Sequence, residues 1–217
     1  MVETSLAQDI EAVCDLALAQ AKATRRVIIG IAGPPAAGKS TLAEAVVRQL
    51  NADAATGGPS AALLPMDGYH LDNRILQAQG TLARKGAPHT FDSVGFCQAV
   101  QQLAEQASDS FHPLFDRELD LAIANAICIE SQTPIVVVEG NYLLLKGDPW
   151  QSLRQVFAAS VFICPPMEVL TERLNQRWID HGLDPQAALA RATQNDLPNA
   201  QLVIDESGPA DLYLQQA

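Results

Sequence analysis

One loop constrains the fold of this chain more than any other stretch. The segment from Gly30 to Val46 reads GIAGPPAAGKSTLAEAV, in which prolines, glycines and a lysine separate an apolar run from a run with helical spacing. Residues 33–40 fit the pattern G-x-x-x-x-G-K-S/T. In such a loop, successive backbone N–H groups face inward around an anion, and the helix that follows directs its positive dipole end at the same point. The segment therefore predicts a phosphate-binding loop between a strand and a helix.

The side chains of this loop suit a nucleotide. Gly38 lets the backbone approach the phosphates, Lys39 reaches the β and γ phosphates, and the Ser40 hydroxyl can bind Mg²⁺. The predicted nucleotide-binding residues of the loop are Gly33, Ala36, Ala37, Gly38, Lys39, Ser40 and Thr41. A guanine-reading protein would carry an N-K-x-D tetrad, which this sequence lacks, so GTP is disfavoured. The loop alone leaves open a mechanical ATPase and a regulatory nucleotide-binding module.

Apolar runs alternate with helical spacing along the rest of the chain. Four nearly continuous apolar runs are typical of strands: 26–33, 61–67, 134–140 and one that ends at Pro166. Three stretches have helical spacing: 41–50, 94–107 and 167–181. Uninterrupted apolar strands are expected where helices cover both faces of a parallel sheet. The alternation predicts a doubly wound α/β domain, in which ligands bind beyond the carboxyl ends of the strands.

The composition argues against several kinds of partner. The chain has 217 residues, of which 48% are hydrophobic, which suits one domain with a substantial core. Its formal charge of −11 is dispersed and argues against nucleic acid and against an anionic membrane surface. The first residues do not resemble a signal peptide, and no apolar run approaches the ~20 residues needed to cross a bilayer. We therefore expect a cytoplasmic protein without membrane insertion.

Two further patterns lie outside the predicted strands. The apolar residues Leu6, Ile10, Val13, Ala17 and Ala21 recur at helical spacing, which predicts an amphipathic helix within residues 1–24 that packs against the rest of the domain. The cysteines are far apart and show no CxxC spacing, which favours buried free thiols over disulfides or zinc ligands. These cysteines are Cys14, Cys97, Cys128 and Cys164.

A carboxylate stands at the end of the second predicted strand. Asp67 comes directly before Gly68 and a run of polar residues, at an edge of the sheet where a substrate is expected. It could accept the proton of a hydroxyl that attacks a γ-phosphate, or hold Mg²⁺ through water. The alternative is that Asp67 caps the Asp-Gly turn.

The third predicted strand also ends in a carboxylate. Glu139 follows four apolar residues, with Asn141 and Tyr142 just beyond it. This pattern resembles a Walker B acid, which would lie near the Mg²⁺ and the attacking group. The alternative is a carboxylate that is satisfied by neighbouring backbone N–H groups.

The helix predicted over 167–181 carries two arginines at i,i+4 spacing. Arg173 and Arg177 stand beside its apolar stripe, and like charges at this spacing repel each other. An anion between them would remove that cost, which predicts a lid that closes on the transferring phosphoryl group. The alternative is a solvated face on which Asp180 pairs locally.

Together, these segments resemble a known superfamily. The sequence is similar to the P-loop kinases related to uridine kinase, pantothenate kinase and phosphoribulokinase, and more closely to a bacterial branch named fructose transport system kinase or nucleoside/nucleotide kinase-like protein. The phrases that carry the resemblance are GPPAAGKST, MDGYHLDNRIL, RKGAPHTFD, FDRELDLAIANA, VVVEGNYLLL, RWIDHGL and NDLPNAQLV. They span nearly the whole chain from Arg26 onward.

The resemblance implies a P-loop NTPase fold for the whole chain as one domain, 1–217. Its five-stranded parallel sheet would have the order 2-3-1-4-5, with a short β-insertion at 109–130 and a lid region at 167–195. It also implies Asp67 as the acceptor base, Ser40, Asp67 and Glu139 around the metal, and an adenine pocket near Asn199. The residues implied in acceptor recognition are Tyr69, His70, Arg74, Arg84, Lys85, His89, Phe91, Asp116, Arg117, Asn141 and Tyr142. His89 has an alternative role as a turn residue after Pro88.

The expected function is that of an ATP- and Mg²⁺-dependent kinase. Lys39, Asp67, Arg173 and Arg177 would be its catalytic residues, and a small hydroxylated metabolite would be the acceptor, either a sugar such as fructose or a nucleoside or other ribose-containing compound. A homodimer is left open. The alternative is a nucleotide-binding regulatory ATPase associated with a sugar transport system. A pure binding module would have no use for a base at Asp67.

Overall fold

A parallel sheet forms the centre of the molecule. The computed structural model describes residues 5–21, 26–54, 60–105 and 108–215. Five strands of these residues make the sheet, namely β1 (Val27–Ala32), β2 (Ala61–Pro65), β5 (Ile135–Gly140), β6 (Ala159–Ile163) and β7 (Leu212–Leu214). Their order in space is β2-β5-β1-β6-β7, with parallel pairing throughout. Counted along the chain within this sheet, the order is 2-3-1-4-5, so the expected α/β fold is confirmed.

Helices cover the sheet. They are α1 (Leu6–Gln20), α2 (Lys39–Ala54), α3 (Asn73–Ala78), α4 (Ser93–Glu105), α5 (Met167–Asp180), α6 (Pro185–Arg191) and α7 (Leu197–Glu206). Residues 1–4 and 22–24 of the predicted N-terminal helix, and residues 106–107 of the predicted 94–107 helix, lie outside the described residues. Where the sequence could be compared, each helical spacing falls within one helix or overruns it by a residue or two.

The two faces of the sheet bury different side chains. Ile29 and Ile31 of β1 join a core with α1 and α2, in which Val13 and Ala17 of α1 are buried. Ile28 points to the opposite face, where it joins a second core with α4 and the aromatic rings of Tyr142 and Trp150. All residues of β1 and of β5 are buried. The uninterrupted apolar runs of the sequence therefore reflect strands that are covered on both sides.

A two-stranded antiparallel ribbon stands apart from the sheet. It consists of β3 (Ser110–Asp116) and β4 (Leu121–Ile129), with a register irregularity between His112 and Leu114. Most residues of β4 are exposed, including Cys128. The expectation that all four cysteines are buried is therefore wrong for Cys128, because it lies on a ribbon with a solvent-facing side rather than in the core. Cys14 and Cys97 are buried, and Cys164 is half-buried.

Arg26 ties the start of the sheet to the end of the ribbon. Its guanidinium donates hydrogen bonds to the backbone carbonyls of Leu103, Glu130, Ser131 and Thr133. These carbonyls belong to the end of α4 and to the segment between β4 and β5.

Among the described residues, no helix combines the length and the apolar character needed to cross a membrane.

Candidate active site

The loop between β1 and α2 opens the site. Gly38 adopts a φ of 94°, which an L side chain rarely tolerates, and α2 begins directly after it at Lys39. Ala36 also has a left-handed φ, of 62°. The backbone therefore curls back on itself just before the helix N-terminus, the arrangement that surrounds an anion with N–H groups.

Lys39 lies buried beneath this loop. Its ammonium donates a hydrogen bond to the Pro34 carbonyl, with an Nζ to O distance of 2.8 Å. Burial lowers the pKa of Lys39 to about 8, and the nearby carboxylates of Glu139 and Asp67 oppose that shift. The charge is thus held next to the loop by two acids that come from other strands.

Glu139 ends β5 and is buried beside the loop. Its Oε1 accepts a hydrogen bond from the Ser40 hydroxyl at 3.0 Å. Burial raises the pKa of Glu139 to about 7, and the negative charge of Asp67 adds to the increase. Its side chain therefore pairs with a hydroxyl of the loop, rather than serving only as a partner for backbone N–H groups.

Asp67 follows β2 in a short 3-10 turn, Met66–Tyr69. Its backbone carbonyl closes that turn by accepting from the His70 N–H at 3.1 Å, while its side-chain Oδ2 accepts from Arg117 Nη2 at 3.1 Å. The carboxylate is therefore not the turn cap that the sequence left as an alternative. It faces the ribbon and lines the same cavity as the loop.

A cavity of about 940 Å³ joins these groups. It is lined by residues of the loop, of the ends of β2 and β5, of the ribbon, of α5 and of the segment after α6. Lys39, Ser40, Asp67 and Glu139 all line it. Because the carboxyl ends of parallel strands meet at one edge, three segments that are distant in sequence converge there, as the fold predicts.

Comparison with known proteins places the chain in a family. No protein-family model matches it. It is 35% identical over 191 residues to the uncharacterized protein YggC of Escherichia coli, covering 88% of this chain and 78% of that protein. It is 30% identical over 203 residues to a "putative uridine kinase" of Schizosaccharomyces pombe, covering 90% and 85%. The crystal structure of a "putative fructose transport system kinase" from Silicibacter sp. TM1040 superposes with a TM-score of 0.87 at 40% identity, covering 97% and 98%.

The chain belongs to the P-loop kinases related to uridine kinase. P-loop kinases use ATP, usually with Mg²⁺. The loop that opens the site is thus the P-loop of the kinase.

The two arginines of α5 for which a lid role is expected point to different places. Arg177 lines the cavity, and its pKa is lowered by burial and then by the nearby charge of Arg117. Arg173 does not line the cavity; its Nη1 is 3.5 Å from the Ala36 carbonyl of the P-loop. The structure therefore does not bring both arginines to one anion, because the P-loop backbone lies against the turn of α5 that carries Arg173.

Five of the residues predicted for the acceptor line the cavity, namely His70, Lys85, Phe91, Arg117 and Asn141. The His70 ring packs between Phe91 and Phe115, with centroids 4.0 and 4.6 Å away. Its Nδ1 hydrogen-bonds the Asp67 carbonyl at 2.8 Å, which fixes the orientation of the ring. Burial lowers the pKa of His70, which favours the neutral imidazole.

Lys85 has its ammonium occupied within the protein. The Nζ atom donates to Asn73 Oδ1, to the Asp120 carbonyl and to Asp120 Oδ1 at 2.7 to 2.9 Å, and it lies 5.0 Å from the centre of the Phe115 ring. Three hydrogen bonds use all three of its donors. Lys85 therefore joins α3 to the turn of the ribbon.

Six of the residues predicted for the acceptor do not line the cavity, namely Tyr69, Arg74, Arg84, His89, Asp116 and Tyr142. Tyr142 is fully buried in the core, and its hydroxyl donates to the Gly86 carbonyl. Arg74 is exposed and pairs with Asp72 at the start of α3. Local hydrogen bonds also hold two further side chains away from the cavity. The Tyr69 hydroxyl pairs with His112, and the Asp116 carboxylate accepts from the N–H groups of Glu118 and Leu119. His89 is exposed in a short turn after Pro88.

Arg84 instead contacts Asn199 and the segment before it. Its Nη2 lies 3.4 Å from Oδ1 of Asn199, which is buried and lines the cavity, and its Nη1 donates to the Gln194 carbonyl at 2.7 Å. Asn195 and Arg191 make the reciprocal contacts to the carbonyls of Lys85 and Ala83. The segment 83–85 is thus hydrogen-bonded to the segment 191–199.

Gly33 and Ala37 of the P-loop are buried and do not line the cavity.

Several cavity-lining residues were missed by the sequence analysis. They are Asn73, Phe115, Asp120, Trp178, His181, Arg191 and Asp196. The indole N–H of Trp178 in α5 donates to Asp196, and its ring lies 5.1 Å from the Arg191 guanidinium. The available signal was a tryptophan directly after Arg177 on α5, since Trp with a polar partner is common at binding surfaces.

Proposed function

We propose that this kinase transfers the γ-phosphoryl group of ATP·Mg²⁺ to a hydroxyl group of a small metabolite. The observation that carries the proposal is the convergence of Lys39, Ser40, Glu139 and Asp67 on one cavity. The first three suit the phosphates and the metal. Asp67 adds a carboxylate at the place where an acceptor hydroxyl would approach, a group that phosphoryl transfer to an alcohol can use and that nucleotide binding alone does not require.

The residues present fit a Mg²⁺ ion. Mg²⁺ prefers oxygen ligands and keeps several waters, with one or two protein groups and the substrate phosphates completing its shell. Ser40 Oγ and Glu139 Oε1 lie 3.0 Å apart at the cavity wall and would provide such oxygens, with Asp67 near enough to contribute through water. When bound, the ion would neutralise charge on the phosphates. Within the described residues, no group of three His, Cys, Asp or Glu side chains could hold a metal without such help.

The protein groups then divide the work of the transfer. Asp67 takes the proton of the acceptor hydroxyl while the oxygen forms a bond to the γ-phosphorus and the bond to ADP breaks. Lys39 and Arg177 stabilise the negative charge on the phosphoryl oxygens, since fixed cations in a cavity with little water act strongly on developing charge. His70, held between two phenylalanines, would orient the acceptor with its free Nε2.

The acceptor is a hydroxylated metabolite of modest size, a sugar such as fructose or a nucleoside or other ribose-containing compound. The names of two relatives support these two classes, one being called a putative uridine kinase and the other a putative fructose transport system kinase. The aromatic wall of Phe91 and Phe115 together with His70 suits the apolar face and the hydroxyls of a sugar ring. A reaction that consumes ATP also fits the cytoplasmic location expected from the sequence.

An acceptor panel tests the proposal. Purified protein would be incubated with ATP·Mg²⁺ and sugars, nucleosides or vitamins, and ADP release would be followed with and without each compound. We expect at least one compound to raise ADP release well above the background, and Lys39→Ala to abolish that increase while the protein stays folded. A full panel without acceptor-dependent release would instead favour the nucleotide-binding regulator of a sugar transport system.

A further inference from the structure

The turn between β3 and β4 is fixed at both ends. Asp116 accepts from the N–H groups of Glu118 and Leu119, both at 2.9 Å, which sets the start of the turn. Asp120 is held at the other end by Lys85 at 2.7 Å and by the Asn73 side-chain amide at 2.8 Å. Arg117 lies between these anchors. Its backbone is therefore positioned by the protein, while its long side chain remains half-exposed to the cavity.

Strand β3 of the ribbon also packs tightly beside Asp67. A Cβ atom on Gly68 would lie 2.2 Å from the Pro113 carbonyl of β3, so the strand approaches at a distance that only glycine allows. The ribbon is thus seated against the residue that follows the proposed base. This contact and the two anchors of the turn together bring Arg117 to the Asp67 carboxylate.

Arg117 lies among the charged groups of the reaction centre. It donates to Asp67 Oδ2 at 3.1 Å, and its charge acts on Lys39, Glu139 and Arg177. The ion pair occupies the oxygen of Asp67 that faces the ribbon. An acceptor hydroxyl that gives its proton to this carboxylate must compete with that guanidinium or use the other oxygen.

We propose that Arg117 is a catalytic residue, whose guanidinium moves from Asp67 to the transferring phosphoryl group as negative charge builds up on that group during the transfer. The inference rests on the proposed function, because it gives Arg117 a part in the same transfer. The resemblance assigned Arg117 to acceptor recognition, and the ion pair with Asp67 gives it a different role.

The charge changes of the reaction drive this movement. As Asp67 takes the hydroxyl proton, its carboxylate loses the negative charge that holds the arginine. At the same time, the acceptor oxygen bonds to phosphorus, the bond to the bridging oxygen breaks, and the departing ADP carries away the electron pair. Negative charge is then concentrated on the phosphoryl and bridging oxygens, to which a planar guanidinium can donate two hydrogen bonds. Arg117 would act from the ribbon and Arg177 from α5.

Steady-state kinetics of Arg117→Gln and Arg117→Lys, with the acceptor found in the panel, provide the first test. We expect Arg117→Gln to lower kcat by about 100-fold or more, since an arginine on the transferring group can contribute that much, with little change in the KM for the acceptor. Arg117→Lys should recover part of the loss. The matched control is Arg48→Gln, which removes an exposed charge of α2 outside the cavity. A raised acceptor KM with unchanged kcat would contradict the proposal and restore the acceptor-recognition role.

Binding of ADP with aluminium fluoride, which mimics the transferring phosphoryl group, provides the second test. By isothermal titration, Arg117→Gln should weaken binding of ADP with aluminium fluoride by about tenfold or more, while ADP alone binds as in the parent protein. Equal weakening of both, or of neither, would overturn the proposal. Thermal unfolding of each variant checks that it is folded. Because this measurement needs no acceptor, a failed acceptor panel would count against the proposed function alone, and the titration would still decide the role of Arg117.

Discussion

Glu139 and Lys39 are two buried ionisable side chains of opposite charge next to the P-loop. Burial raises the pKa of Glu139 to about 7 and lowers that of Lys39 to about 8. Groups with such pKa shifts are common at functional sites, where burial lowers stability but places a charge next to the substrate. The carboxylate of Glu139 is thus a cost to the folded state that a bound cation would relieve.

Glu139→Gln should change how stability depends on pH. Between its ordinary pKa of 4.5 and its folded value of about 7, Glu139 binds more protons in the folded state than in the unfolded state. The free energy of unfolding of the parent protein therefore falls as the pH rises through this interval, and the loss is complete above it. The variant lacks this loss, so it should gain stability relative to the parent by about 2 kcal/mol between pH 5 and pH 8. Urea unfolding at both pH values measures it.

The control for this experiment is Glu11→Gln, which removes an exposed carboxylate of α1. Its stability should follow that of the parent at both pH values. If Glu139→Gln and the parent lose stability in parallel from pH 5 to pH 8, Glu139 does not have the raised pKa on which the argument depends.

Sequence reasoning works at the residue scale where the chemistry is local. The P-loop could be found because its spacing alone fixes the positions of Gly38, Lys39 and Ser40. The direction of the Tyr142 side chain could not be predicted, since Tyr142 directly follows Asn141 and only packing against Phe91 and Trp150 turns it inward. Nor does any local pattern link Arg117 to Asp67, which are 50 positions apart and meet through the ribbon.

At the scale of elements, α5 presents two arginines to different parts of the site. Arg177 lines the cavity, whereas Arg173 does not and contacts the Ala36 carbonyl of the P-loop. Residues at i,i+4 on a helix are close neighbours. The spacing therefore could not show that one arginine of this helix face contacts the P-loop while the other lines the cavity. The strands of the sheet were predictable for the opposite reason, because burial on both faces leaves an uninterrupted apolar run. The three-residue β7 is too short to leave such a pattern.

This division predicts different kinetics for the two arginines. Arg177→Gln should lower kcat by about tenfold or more with little change in stability. The substitution removes a positive charge that would stabilise the phosphoryl group, and it does not remove a packing contact. Arg173→Gln should mainly weaken ATP binding, since the Arg173 side chain contacts the P-loop backbone at the Ala36 carbonyl. Steady-state kinetics with varied ATP and thermal unfolding of both variants distinguish these effects. Matching losses of activity and stability in Arg177→Gln would favour a solvated or structural role.

At the scale of the whole molecule, the strand order assembles the site. Residues near positions 39, 67 and 139 meet because β1, β5 and β2 are neighbours in the sheet and end at the same edge. Residues of the ribbon and of α5 complete the lining of the cavity. The family resemblance supplied this topology, while the residues themselves supplied only the strands and their ends. The exchange of hydrogen bonds between residues 83–85 and 191–199 had no signal in the sequence, since it is made largely through backbone carbonyls.

The central claim is that Asp67 makes the chain a phosphotransferase and not only a nucleotide-binding protein. Asp67→Asn keeps the shape of the side chain but removes the base, so the measurement compares two quantities in one variant. By titration, its affinity for a non-hydrolysable ATP analogue with Mg²⁺ should match that of the parent. By ADP release with the best acceptor, its transfer should fall by the ~10²–10⁴-fold typical of a lost general base. Transfer at the parent rate would contradict the assignment of Asp67 and the mechanism built on it.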